Sequence, residues 1–495
     1  DSAAPAADDT GPDSAASPDP GPEPSAAADG SEPAAGAEPA APAEETLPRP
    51  ETPDAEFDAA PLPTEAGGVA VPRDRSNQRW RAVPRTILYP FRGLWYVAWG
   101  VPRLGMWAYN RYQLEDRFRQ IFFNDTETVG VYPVAFVEAG FGLNAGARII
   151  VRDIFAEDFR FRVRASYGGR FRQYYGVKLE SGELFGDRLE LELLGEYQIF
   201  PKSRFAGIGN GDLQDYMAGA PLIDALNDET AIATRFRHDD YRVELATLAH
   251  INDELSLRLS GSYKNREFDA EADPVDDEQL VAVYDTDSLL GFEDGLSNFY
   301  AELELIYDSR RVTEFYLPPD APSTGWRVSA FAGYQTGFGD DPSGHGRWGL
   351  DAQRYFDLYR GDRVLVLRAY IEGVTADVDE IPFVDLPRLG GPLFLRGYDR
   401  DRFRDRYVTL GTIEYNYPIE RNVGGYLFVD AGRVWRELDD IDGDDWRVGF
   451  GVGMQAHTTE SFLTRVFLAS SIDGGLIFNL SFDPVFDARS REESP

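Results

Sequence analysis

Residues able to make and break bonds are sparse in this 495-residue chain, and their spacing does not suit catalysis. Cysteine is absent, which removes thiol nucleophiles, disulfides and every thiolate metal site. The four histidines, His238, His250, His345 and His457, are widely separated and form no HExxH pair. Ser470 and Ser471 stand apart from His457 and carry no nucleophile motif, so no base and orienter can be assigned to them. The expectation is a protein with no catalytic residues, no metal and no cofactor. What the chain does have is charge, aromatic rings and glycine. Asp and Glu number 85 against 49 Lys and Arg, a net charge of −36, beside 32 Phe, 25 Tyr and 48 Gly. So acidic a chain repels nucleic acid, which is not expected as a partner.

The charge is unevenly placed. Residues 1–70 hold 16 acidic residues and one basic one, Arg49, in a background of Ala, Pro, Ser and Gly. Such a segment cannot build a core and is expected to be a disordered acidic leader. It carries −15, leaving −21 for the rest. The character changes over 80–125. There Arg81, Arg85, Arg92 and Arg103 interleave with Trp80, Tyr89, Trp95 and Trp107, and Pro84, Pro90 and Pro102 cut the segment into short pieces. Amphipathic helices are expected, lying on a membrane interface or a protein surface, or packed as a cap on the next domain. No 18-residue apolar run occurs. The richest stretch, Trp95 to Trp107, is broken by Gly100, Pro102, Arg103 and Gly105. A transmembrane helix is therefore not expected, although this does not exclude crossing by strands.

From 127 to 482 the chain keeps a period of two. Phe299, Ala301, Leu303, Leu305 and Tyr307 alternate with Tyr300, Glu302, Glu304, Ile306 and Asp308. The same alternation recurs at 188–196, 412–419, 447–455 and 476–482. Two structures bury one face of such strands. A soluble sandwich hides the apolar face, whereas a membrane barrel turns it to lipid and keeps the charges in its lumen. Strand length, Tyr and Phe near strand ends, and long acidic loops such as 268–290 and 375–394 favour the barrel. About sixteen strands fit into 127–482, an even number as barrels of this kind require. The expected fold is all-β: a 16-stranded antiparallel transmembrane β-barrel with a short helical segment before it and a 483–495 extension after it.

One loop narrows the reading. Gly390-Gly391-Pro392-Leu393-Phe394-Leu395-Arg396-Gly397-Tyr398 precedes the strand bearing Glu414, and Phe428-Val429-Asp430-Ala431-Gly432 comes after it. The Leu-Arg-Gly-Tyr run resembles the (V/L)RG(F/Y) signature of the outer-membrane surface-antigen superfamily, the BamA and TamA type of insertases and translocases. Tyr307-Asp308-Ser309-Arg310 with Gly325-Trp326-Arg327, and Phe205-Ala206-Gly207-Ile208-Gly209-Asn210, are similar to two further motifs of that family. The resemblance implies that the loop folds back into the lumen and that Arg396, Gly397 and Tyr398 lock it to Glu414 and Asp430. The physical logic is sound. A long loop inside a wide barrel must be held against its entropy, and Arg can bind carboxylates bidentately. Gly397 is expected to allow close backbone approach.

The resemblance further implies a seam between the first and last strands, marked by Val134, Phe478 and the aromatic end Phe482. Here Ile477 stands where the family's final strand has Gly. Residues 1–126 leave no room for a convincing POTRA domain, the module that precedes the barrel in translocating members. The implied function is outer-membrane protein insertion or translocation. The alternative is a structural barrel anchoring a complex. Expected partners are outer-membrane lipids and lipopolysaccharide, a protein docking through 80–125, and unfolded outer-membrane clients. The expected location is the bacterial outer membrane.

Overall fold

The computed structural model describes residues 120–481, with short omissions at 139–141, 154–157, 169–171, 183, 187, 228–229, 270–276, 315, 319–320, 340, 342, 421 and 458–461, together with Arg111 and Arg117. The leader 1–70, most of the 80–125 segment, Phe482 and the 483–495 extension lie outside the described residues. Of the 80–125 segment, Arg111, Arg117 and 120–122 are helical. No described helix is long and apolar enough to cross a membrane.

Period-two alternation produces strands, and almost all of them join one sheet. The first four long strands are β1 (Val129–Glu138), β2 (Gly142–Arg152), β3 (Arg160–Gly168) and β4 (Gln173–Glu180). The next four are β5 (Leu189–Phe205), β6 (Thr234–His250), β7 (Leu255–Asp269) and β8 (Leu296–Asp308). They are followed by β9 (Gly325–Gly337), β10 (Gly344–Tyr359), β11 (Arg363–Val374) and β12 (Tyr407–Glu420). The series ends with β13 (Val423–Trp435), β14 (Arg447–His457), β15 (Phe462–Ser471) and β16 (Gly474–Ser481). A two-residue strand, Glu278–Gln279, runs parallel to the start of β6 and brings the sheet to 17 strands. Each long strand pairs antiparallel with its neighbours in sequence, and β1 also meets β16 through Val137↔Leu480. The sheet is thus of the β-barrel type.

The faces are sorted opposite to those of a soluble protein. Along β8, Asn298, Tyr300, Glu302 and Glu304 are buried, while Phe299, Leu303 and Leu305 are exposed. On β7, Arg258, Ser260, Ser262 and Arg266 are buried and Leu259 and Tyr263 are exposed. Register sets these side chains opposite their own kind, as in Leu303↔Leu259 and Leu303↔Ala332. The buried polar face is satisfied across strands by ion pairs. Arg242 reaches Glu196 at 2.9 Å, Arg368 reaches Asp351 at 2.8 Å, and Arg258 pairs with Glu244. Charge-assisted bonds of this kind are what makes a buried charged wall tolerable. Among the described residues the exposed apolar belt has no covering partner, which is the arrangement a hydrocarbon-embedded sheet needs.

An apolar core does exist, away from the belt. Phe205, Tyr284, Phe292 and Phe383 are nearly inaccessible and pack with Ile208, Ile232, Leu280 and Ile381. These residues come from the ends of β5 and β6 and from the connections 206–233, 278–295 and 375–386. Phe205 meets Tyr284 at 5.0 Å and Phe383 at 5.5 Å, both edge-on. Tyr284 donates to the Ile232 carbonyl at 3.1 Å and accepts from its amide at 2.9 Å. Three long connections therefore share one core and hold one another over the polar face.

Candidate functional site

The connection between β11 and β12 folds back against the buried polar face. Its own residues shape it. Arg388–Leu389 pairs with Phe403–Arg404 as a small antiparallel ladder. Inside that ladder Gly390 and Gly391 have φ of 116° and 94°, and their amides donate to the carbonyls of Phe394 at 2.6 Å and Tyr398 at 3.0 Å. Leu395 is fully buried at φ 69°, a conformation uncommon outside glycine. Gly397 at φ 100° lies on the other side of Arg396. Both residues that flank Arg396 are thus left-handed, and the tight turn they make presents Arg396 to the wall.

Arg396 is 3 % exposed, and Glu414 and Asp430 are 1 % exposed. Arg396 Nε and Nη2 donate to the two oxygens of Asp430, each at 2.8 Å, and Nη1 donates to Glu414 Oε2 at 2.6 Å. The Arg396 amide donates to Asp430 Oδ2 at 2.9 Å. The carboxylates have further partners. Thr412 Oγ1 donates to Asp430 Oδ1 at 2.9 Å, and Arg465 Nη2 on β15 donates to Glu414 Oε1 at 3.0 Å. The Arg396 guanidinium also lies 3.7 Å from the centre of the Phe428 ring. Two carboxylates and two guanidiniums balance in charge, which is what a buried cluster requires.

The backbone fits as closely as the charges. A Cβ on Gly397 would stand 2.5 Å from the Ser470 carbonyl oxygen, and one on Gly449 of β14 would be driven into the Arg396 carbonyl. Tyr398 donates to Asp473 Oδ2 at 2.9 Å, and Arg447 shares that carboxylate at 3.0 Å. Tyr398 stacks edge-on with Phe403 at 5.2 Å. Thus the five loop and wall residues, Arg396, Gly397, Tyr398, Glu414 and Asp430, come together at β12 to β16.

The three seam residues are placed differently. Val134 lies on β1 in register with Gly146 of β2, and Phe478 lies on β16 in register with Leu468 of β15. They are on the two edge strands but are not opposite each other, and Phe482 is outside the described residues. The register between those strands passes through Val137 and Leu480.

Sequence reading missed a second fastening of the same connection. Asp385 accepts from Arg266 Nη2 of β7 at 2.7 Å and from Gln335 Nε2 of β9 at 2.8 Å. Here the carboxylate is on the connection and the cation on the wall, the reverse of Arg396. Burial raises the Asp385 carboxyl, but Arg266, His345 and the Gln335 hydrogen bond together outweigh burial and hold it below the usual carboxylate range. A third contact is Arg368 of β11, which holds Asp351 and donates to the Leu393 carbonyl at 3.1 Å. The connection 206–233 is pinned too. Asn210 donates to the Val434 carbonyl at 2.6 Å and accepts from its amide at 3.1 Å. The Gly-Asn run at 209–210 was a sequence signal for that pin. Nothing in the sequence links Asp385 to Arg266 across 119 residues.

The arrangement can hold a chain segment in place; it does not assemble a nucleophile with a base. Among the described residues no group of three or more His, Cys, Asp and Glu side chains could hold a metal ion.

Compared with known proteins, residues 159–464 match the family model described as the Omp85 superfamily domain. No curated protein matches the chain. Among solved structures it is similar to the crystal structure of BamA from Haemophilus ducreyi lacking POTRA domains 1-3, at 14% identity and a TM-score of 0.50, covering 71% of this chain and 69% of that one. It is also similar to CdiB from Acinetobacter baumannii (12% identity, TM-score 0.43, 71% and 59% covered) and to CdiB from Escherichia coli (11%, 0.43, 72% and 60%). The likeness to BamA, at 14% identity, is one of fold.

Proposed function

Because the chain belongs to the Omp85 superfamily, whose members act as outer-membrane insertases and translocases, we propose that it closes into a 16-stranded transmembrane barrel that inserts or translocates proteins through the seam between β1 and β16. It is an outer-membrane protein and, like the non-catalytic barrels of its superfamily, not an enzyme. Outer-membrane lipids surround the exposed belt, and an unfolded outer-membrane protein is the client.

The observation that carries this reading is the seam. Among the described residues β1 and β16 share the single register pair Val137↔Leu480, whereas β1 pairs with β2 from Val129↔Val151 to Glu138↔Gly142. With one register pair between these strands, few backbone hydrogen bonds have to break for the seam to open. In hydrocarbon each unpaired group costs several kcal/mol, so two bare edges favour an incoming strand. An incoming client strand satisfies both edges by β-augmentation. The Asp385 fastening braces β7 and β9, in the middle of the strand order, and the Arg396 lock braces β12 and β13, so that opening is confined to the seam.

The chain has no cysteine of its own, which makes the test clean. Val137→Cys and Leu480→Cys place two thiols on register partners, and the ~4.5–5.5 Å Cα separation of antiparallel partners is one a disulfide spans. In proteoliposomes, oxidation is expected to stop insertion of a urea-unfolded outer-membrane barrel, and reduction to restore it. Insertion at the unmodified rate with the seam locked would reject lateral opening.

A further inference from the structure

The connections 206–233 and 278–295 share the apolar core, and their outward side has a chemistry of its own. Backbone and side-chain contacts tie the two together there. Ile223–Asp224 pairs in parallel with Tyr284–Asp285. The Tyr216 hydroxyl donates to the Ala282 carbonyl at 2.9 Å, and the Ala220 amide closes a turn on the Met217 carbonyl at 3.0 Å. These contacts bring Met217, Leu222 and Val281 to one surface. Met217 is 77 % exposed and Leu222 55 %, and Val281 is exposed too. Leu213, upstream of Met217, is a further exposed apolar side chain. Beneath them Ala225, Leu280, Val283 and Tyr284 are buried in the core. Single exposed apolar residues are ordinary, but a group of them on one packed base marks a binding surface. These residues stand on connections, not on the strands that carry the apolar belt.

The charge around them selects the occupant. Residues 206–233 hold five Asp and Glu and no Lys or Arg, and 278–295 hold another five and again no Lys or Arg. Asp212 is taken by Arg447 at 2.6 Å. Asp215, Asp224, Asp285 and Asp287 are exposed, and among the described residues no Lys or Arg pairs with them. Asp224 accepts from the Leu226 amide at 3.0 Å and Asp285 from the Asp287 amide at 3.2 Å. Hydrocarbon would have to desolvate these carboxylates, which is costly. A second copy of the surface would meet it with the same charge. A polypeptide that sets apolar side chains among Lys and Arg satisfies both features.

We infer that this surface docks a cationic amphipathic segment of a partner polypeptide. Its apolar side chains cover Met217 and Leu222, and its cations lie among Asp215, Asp224, Asp285 and Asp287. The unbranched Met217 side chain adapts to the shape of what covers it. The shared core holds the surface in place before docking, which lowers the cost of ordering it. The surface is separate from the seam, so docking does not depend on lateral opening.

The test uses the full chain in detergent micelles. Because the chain has no cysteine, Ala218→Cys gives one attachment point for an environment-sensitive dye beside Met217. The probe is a short synthetic peptide of Leu and Lys, and the control peptide carries Glu in place of Lys. A saturable dye response to the Leu/Lys peptide alone is expected. Met217→Ser combined with Leu222→Ser should weaken it about tenfold or more, the loss of two apolar contacts. Asp215→Asn combined with Asp224→Asn should weaken it about two- to fivefold and reduce its salt dependence. Heat-modifiable gel migration checks that each variant is folded. No saturable response, an equal response to the Leu/Glu peptide, or unchanged affinity in both double variants overturns the inference. So does a response to phosphatidylcholine vesicles alone, which marks a lipid contact, or one that grows with protein concentration without peptide, which marks a contact between copies.

Discussion

Arg396 concentrates several requirements in one side chain. It satisfies both oxygens of Asp430 and one of Glu414, and it stacks on Phe428. Arg396→Ala leaves two buried carboxylates beside Arg465, the cation on β15, and breaking a buried pair from one side costs about 3–5 kcal/mol. The variant is expected to lose heat-modifiable migration at a lower temperature and to expose 375–406 to protease. Gly449→Ala separates fit from charge. It leaves every ion pair available but drives a methyl group into the Arg396 carbonyl. It should expose the same segment; full protection in Gly449→Ala would mean that the backbone fit contributes nothing. At this scale the sequence named Arg396, Glu414 and Asp430, because they sit in short recognisable runs. It gave no role to Gly449, Phe428 or Arg465, whose relevance depends on which strands lie next to the loop.

At the scale of the element, the 375–406 connection is held on two walls with opposite polarity. Arg396 reaches β12 and β13, and Asp385 reaches β7 and β9. The pH behaviour of the second anchor follows from its carboxyl. Burial raises it, and Arg266 with His345 and Gln335 lowers it by more, leaving it below the ordinary value of about 3.9. A depressed folded value means the contribution is complete above the unfolded value and fades as pH falls through the folded one. Protease protection around Asp385 should hold from neutral pH down to about pH 5 and weaken only in stronger acid. Asp385→Asn should show weaker protection with no such acid step. A loss of protection between about pH 7 and pH 5 would remove Asp385 as the titrating anchor. The strands themselves were legible: among the described residues each window of alternation read from the sequence matches a long strand to within one residue, because side-chain period two is a property of the extended backbone. The Asp385 contact was not, because an ion pair between a connection and a distant wall leaves no local periodicity.

For the whole molecule, the sorting of faces has a direct consequence. Leu303, midway along β8, is 48 % exposed between Leu259 and Ala332. Leu303→Arg is expected to cost about 2–4 kcal/mol of folding in a bilayer, the cost of a charge at mid-depth on the lipid face. The folded fraction in lipid vesicles, read by heat-modifiable migration against urea, measures it. An unchanged midpoint would mean that this face does not meet hydrocarbon. The sequence by itself determined that the body of the chain is strands with one apolar and one polar face, that its pairs are antiparallel neighbours, and that its chemistry is charge pairing. These follow from local spacing. The tertiary structure decided which face is inside, how the first strand meets the last, and which distant cations and carboxylates the returning connection joins. Alternation reads the same when the two faces are exchanged. Only the three-dimensional course of the sheet shows that the charges are enclosed and the hydrocarbon side chains exposed.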